Sequence, residues 1–179
     1  MASETGKVAL SKQDLRDVTG YAAECAQGAL EVFESIRPAD PRPRAAIDAA
    51  WAFARGGERG KPLRDTAWAA LKAARDTDNA AACEAARAAM SAASAAYLHP
   101  LADAHQVKHI LGAAAHAARA LELVAGGDRN VGAGHIRHAL RRAIPSVVYV
   151  LKRYPEAPHG GGRVGELLSD LDRALRSRS

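Results

Sequence analysis

The chain is 179 residues long, enough for one domain or one domain with a tail, and 48% of it is apolar while only 4% is aromatic. Its net charge of +5 is uneven: from Arg129 onward ten Lys/Arg stand against four Asp/Glu, whereas the part before is close to neutral. No apolar run approaches the length of a membrane span, no apolar leader core follows Met1, and Cys25 and Cys83 have no metal-ligand spacing. A cytoplasmic protein is expected, with both cysteines acting as small hydrophobes in a reducing compartment.

Alanine supplies 43 residues, in blocks such as Ala80–Ala82, Ala85–Ala86, Ala88–Ala89 and Ala113–Ala115. It is the best intrinsic helix former and adds little bulk, so the chain is expected to be all-α. The expected architecture is a single compact Ala-rich bundle of six or seven helices with closely approaching backbones. Large anchors are few; Phe33, Trp51, Phe53, Trp68 and Tyr97 lie in apolar helical patterns and are expected to fill that role.

Residues 1–9 are expected to be disordered, residues 10–154 to form the bundle, residues 155–162 a Pro/Gly loop, and residues 163–179 a C-terminal helix packed on the bundle. The first helix starts with Ser11 as N-cap, Asp14 in the first turn and Leu10 with Leu15 as a hydrophobic staple, and runs to about Ser35. Pro38 ends it. Asp40 is placed to cap helix two, with Pro41 at its first position, and Gly56–Gly57 stops that helix after Arg55. Helix three covers about Leu63–Arg75, and Thr77-Asp78-Asn79 is a turn and cap. Helix four covers Ala80–Tyr97 and stops before Pro100. Helix five covers about Leu101–Ala125, ended by Gly126–Gly127. Helix six begins near Gly134 and carries Pro145, which must kink or split it. Tyr154–Gly162 is a loop, and the last helix, Arg163–Arg176, presents Val164, Leu167, Leu168, Leu171 and Leu175 on one face.

Three groupings bear on chemistry. His105, His109 and His116 are four and seven residues apart and fall on one face of helix five, a candidate pocket lining. The i, i+4 pair is the spacing of helical zinc sites, but Gln106 stands where the zinc-protease motif has Glu, so no metal and no cofactor is expected. His135 and His138 sit beside Arg137, Arg141 and Arg142, which disfavours a cation and favours an anion or carboxylate contact. Gly160-Gly161-Gly162-Arg163 before a helix is similar to a phosphate nest but lacks a P-loop Lys-Ser/Thr and a preceding strand, so it reads as a hinge. Arg37, Arg42 and Arg44 lie in a Pro/Arg loop that Glu31, Glu34 and Asp40 can bridge, either as architecture or as a recognition edge.

Val32-Phe33-Glu34, then Arg37-Pro38-Ala39-Asp40-Pro41-Arg42-Pro43-Arg44-Ala45-Ala46-Ile47 and Trp51-Ala52-Phe53-Ala54-Arg55-Gly56, resemble the Imm-5-like family of bacterial immunity proteins. Ala85–Ala89 and Gln106–Ala115 are similar to it as well, and the resemblance spans about Leu15–Leu123. It implies an all-helical, non-enzymatic protein that protects its host by binding and occluding a toxin, and it carries over no catalytic residue. Similar actinobacterial chains bear an exonuclease-like label, but two-metal nuclease chemistry needs a carboxylate cluster that this sequence does not display. The residues expected to contact such a partner, a protein with an acidic surface, are Arg37, Arg42, Arg44, Arg137, Arg141 and Arg142. Two alternatives stand beside this reading: a small-molecule-binding protein or enzyme with the pocket of His105, His109 and His116, and nucleic-acid binding through the basic C-terminal third.

Overall fold

The computed structural model describes residues 6–179, which hold eight α-helices, three of them with side-chain N-caps. α1 (Lys12–Ile36) opens on a capping box: Ser11 Oγ accepts from the Asp14 amide, and the Asp14 carboxylate accepts from the Ser11 amide. α2 (Arg42–Ala54) and α3 (Lys61–Arg75) both carry proline in their first turn. α4 (Ala80–Ser94) is capped by Asn79, whose side chain accepts from the Ala82 amide. α5 (Val107–Val124), α6 (Arg129–Arg142), α7 (Pro145–Lys152) and α8 (Gly162–Arg176) complete the fold. No strand occurs among the described residues, so the chain is all-α; one isolated antiparallel bridge joins Lys7 to Leu101.

Two helices end on the same device. Beyond α2, Gly57 donates to the Ala52 carbonyl and Gly56 to that of Phe53; beyond α5, Gly127 donates to Glu122 and Gly126 to Leu123. This is the Schellman arrangement, and it needs a left-handed residue, supplied by Gly56 (φ +117°) and Gly126 (φ +70°).

Alanine decides the packing. On α4, Ala81, Ala82, Ala85, Ala86, Ala88, Ala89, Ala92 and Ala93 are all buried, so the helix is enclosed on nearly every side. It lies against α1, α2, α3 and α5, while α5 also touches α6 and α8. Small side chains allow these close approaches, and Phe33, Ile47, Ile110, Leu111 and Leu151 fill the larger spaces.

The structure departs from the sequence reading in four places. Helix five starts at Val107 rather than near Leu101. Pro100 bars His99 from helical geometry, and residues 98–102 run alongside the N-terminal segment, with Val8 donating to the Pro100 carbonyl and Ala102 to that of Gly6. Residues 6–9 are therefore laid down on the bundle with Val8 buried, which corrects the expected disorder there; residues 1–5 lie outside the described residues. Helix six begins earlier than expected, at an Asp128 cap that accepts from the Asn130 amide; Pro145 splits off α7, one of its two expected effects, and the described residues hold eight helices against the expected six or seven. Trp68 is no anchor. Leu63, Ala67, Ala70 and Ala74 form the buried face of α3 and leave Trp68 64% exposed.

Candidate functional site

A cavity of about 610 Å³ lies between α4, α5 and the start of α8. His105, His109 and His116 all line it. They reach it by different routes. His109 and His116 project from α5, but His105 belongs to a short 3-10 turn, Ala104–Gln106, whose amide at His105 is held by the Asp103 side chain at 2.7 Å. The shared helical face read from the sequence therefore holds for two histidines, and tertiary packing brings in the third.

Each α5 histidine is pinned by one ring nitrogen. His109 Nδ1 is 3.1 Å from the Ser94 carbonyl at the end of α4, and burial pulls its pKa below the ordinary value. The neutral ring then donates from Nδ1 and keeps an acceptor at Nε2. His116 Nδ1 lies 2.5 Å from Glu84 Oε2 on α4. Among the described residues no three or more His, Cys, Asp or Glu are arranged to hold a metal ion.

Sequence reasoning missed the rest of the lining. Arg87 contributes from α4 and Lys108 from α5, and His159, Gly160 and Gly161 come from the loop before α8. Met90, Val164 and Leu168 give the cleft an apolar wall. Gly112 also lines the cleft, where a Cβ would meet Ser91 Oγ in ordinary contact at 3.4 Å. The signal for Lys108 and Arg87 was available as helical spacing: Lys108 precedes His109, and Arg87 is three residues after Glu84. The return of the glycine loop onto the same cleft is a long-range fact that no local pattern carries.

That return is fixed by a buried ionic clasp. Glu122 on α5 is fully buried and takes Arg163 of α8 on both carboxylate oxygens, with Nε at 2.9 Å from Oε1 and Nη2 at 2.9 Å from Oε2. Arg119 adds a third donor at 2.7 Å. These hydrogen bonds, led by Arg163, hold the Glu122 carboxyl below the usual range despite its burial. A second clasp fixes the preceding loop: Asp172 accepts from the Ala157 amide and from Arg176, which also donates to the Tyr154 and Pro155 carbonyls.

The six arginines singled out by sequence fall into two separate groups. In the Pro/Arg loop, Arg42 donates two hydrogen bonds to Asp40 and a third to Asp76, Arg44 grips Glu34 with two, and Arg37 donates to the Asp76 carbonyl. These bonds tie α1, α2 and the end of α3 together. On α6, Arg137 and Arg141 are exposed and reach no carboxylate among the described residues; Arg141 rests at 3.1 Å from His138 Nδ1. Arg142 lies 3.5 Å from Glu24 and lines a shallow depression with Trp51, Arg55, Arg16 and exposed Ile144. His135 is partly buried, and burial together with nearby His138 and Arg142 lowers its pKa. Much of the remaining basic C-terminal third is paired internally: Arg129 with Glu166, Arg153 with Asp14, Arg163 with Glu122 and Arg176 with Asp172.

The described residues form an all-α shell held by internal ion pairs, with an open cleft between α4, α5 and α8. The chain belongs to the family described as Imm-5 like putative immunity protein, whose model matches residues 9–142. The match covers α1 to α6 and stops before α7 and α8. No curated protein and no solved structure matches the chain.

Proposed function

We propose that the protein neutralises a toxin protein by binding it, without turnover, through the exposed α6 face and the depression beside it. The observation that carries this reading is the contrast between the two arginine groups inside a chain of the immunity family. The Pro/Arg loop is consumed by Asp40, Asp76 and Glu34 and acts as a brace. Arg137 and Arg141 reach no carboxylate among the described residues, and Arg142, paired with Glu24, lines the depression that also holds Ile144, Trp51 and Arg55. Arg and Trp are the residue types that dominate binding hot spots, and an unpaired basic strip speeds encounter with an acidic partner. No helix among the described residues is long and apolar enough to cross a membrane, and both cysteines are free thiols, which fits action in the cytoplasm.

The test is reconstitution with purified components. Toxin domains encoded beside the gene, produced as catalytically inactive variants, should form a stable complex with the protein on gel filtration. Failure of every such domain to bind overturns the reading.

A further inference from the structure

The lining of the cleft between α4, α5 and α8 holds more cations and imidazoles than carboxylates. Its lining holds two full cations, Arg87 and Lys108, that reach no carboxylate among the described residues. It holds four imidazoles, His105, His109, His116 and His159. Its one carboxylate, Glu84, is already engaged by His116. Of the carboxylates on or beside α8, Glu122 and Asp172 are buried and engaged by Arg163, Arg119 and Arg176, while exposed Glu166 and Asp170 line the neighbouring depression, where Glu166 meets Arg129 and Arg163 and Asp170 meets Arg173.

The backbone adds to the same bias. Gly161, at φ +83°, precedes α8, a helix of 15 residues, and Gly160, Gly161 and Gly165 lie in the cleft lining. Gly165 cannot carry a side chain, because a Cβ would collide with the Gly160 carbonyl. The glycine loop thus folds tightly over the start of α8, whose first amides have no partner within the helix. The cationic side chains and this helix end converge on one concavity.

Volume decides the size of the occupant. About 610 Å³ falls in the range of small-molecule sites and exceeds the need of a bare inorganic anion. Met90, Val164 and Leu168 supply the apolar part of the lining, and His109 offers a ring acceptor to a ligand hydroxyl.

We propose that this cleft is a binding site for a small organic phosphate, its phosphate held by Arg87, Lys108 and the α8 start and its hydroxylated body lying between His109 and the apolar wall. The site is separate from the toxin-binding face and does not depend on that reading. It brings the glycine loop and α8, which lie outside the family match, into a functional role.

The experiment uses the full chain and reads histidine side-chain NMR resonances during titration with ribose, inorganic phosphate and ribose 5-phosphate. The proposal expects His105, His109, His116 and His159 to shift with inorganic phosphate and with ribose 5-phosphate. Ribose 5-phosphate should bind at least tenfold more tightly than ribose. The double variant Arg87→Gln/Lys108→Gln changes two exposed side chains and should keep its circular dichroism spectrum while binding ribose 5-phosphate at least tenfold more weakly. No shift with either phosphate, equal binding of ribose and its phosphate, or unchanged affinity in the double variant overturns the proposal. So does a response confined to His135 and His138, which would place the anion on α6.

Discussion

Gly132 of α6 lies so close to Glu122 of α5 that a methyl group at position 132 would overlap the carboxylate oxygen Oε2. The glycine is therefore the space into which a fully buried charge fits, and α8 closes over it with Arg163. Gly132→Ala should destabilise the fold by about 1–3 kcal/mol, the range for overpacking a filled site. Arg163→Met removes the principal partner of a buried carboxylate and should cost about 3 kcal/mol or more. Thermal unfolding of both variants checks this; a melting temperature unchanged in either would mean that Glu122 is satisfied some other way.

Acid stability follows from the same carboxylate. The folded state holds the Glu122 carboxyl below its ordinary value, with Arg163 as the main cause. Such a group contributes stability that is present above the unfolded pKa of about 4.3 and lost as pH falls through the lower folded value. Urea unfolding between pH 3 and pH 7 should show the difference between wild type and Glu122→Gln shrinking as pH drops below about 4. Asp14 and Asp40, both held low, add to the same acid limb. A wild-type advantage that grows toward low pH would contradict the assignment.

Asp40 holds Arg42 within the Pro/Arg loop. The N-cap of α2 is Pro41 rather than Asp40, but Asp40 Oδ1, one residue further out, accepts from the first helical amide, that of Arg42, at 3.2 Å and from Arg42 Nε at 2.8 Å, and so orients the arginine. Asp40→Ala should cost on the order of 1 kcal/mol. Denaturant unfolding measures this, and a neutral result would assign the loop's rigidity to its prolines.

Cys25 is buried against Tyr21, and burial pushes its thiol up to about 12. A thiol in that state is almost never a thiolate at neutral pH. The native protein should therefore react with a thiol reagent at Cys83 alone, and at both cysteines after denaturation. Rapid native labelling of Cys25, read by mass spectrometry, would show that α1 opens.

The helices were legible because their signals are local: Ser11 and Asn79 as caps, Gly56 and Gly126 as stops, and alanine throughout. Their errors have local causes too. Asp128 was missed as a start because Gly132 and Gly134 are poor helix formers, and packing on Glu122 overrides that propensity. Trp68 was misplaced because an aromatic in an alanine helix looks like an anchor when the buried face is in fact set by Leu63, Ala67 and Ala70. Of the cleft, the three histidines were visible as spacing. His159 was not, because it reaches the cleft only through the packing of α8 and its preceding loop against α5.

The exposed arginines of α6 should act on encounter more than on the bound state. Rim charges steer association, and their removal slows it. For a toxin domain that binds, Arg137→Glu/Arg141→Glu should lower the association rate at least tenfold at low salt, with a smaller change in dissociation. Raising the salt should narrow the gap. Stopped-flow kinetics decides this, and a change confined to dissociation would move these residues to the buried centre of the interface.

The central claim is neutralisation by binding, and growth protection tests it most directly. An active toxin encoded beside the gene is expressed in a bacterial host together with the wild-type protein or with Arg137→Glu/Arg141→Glu. The account predicts full growth with wild type and strongly reduced protection with the double variant at equal expression. If wild type gives no protection against any such toxin, or the double variant protects as well as wild type, the account is contradicted.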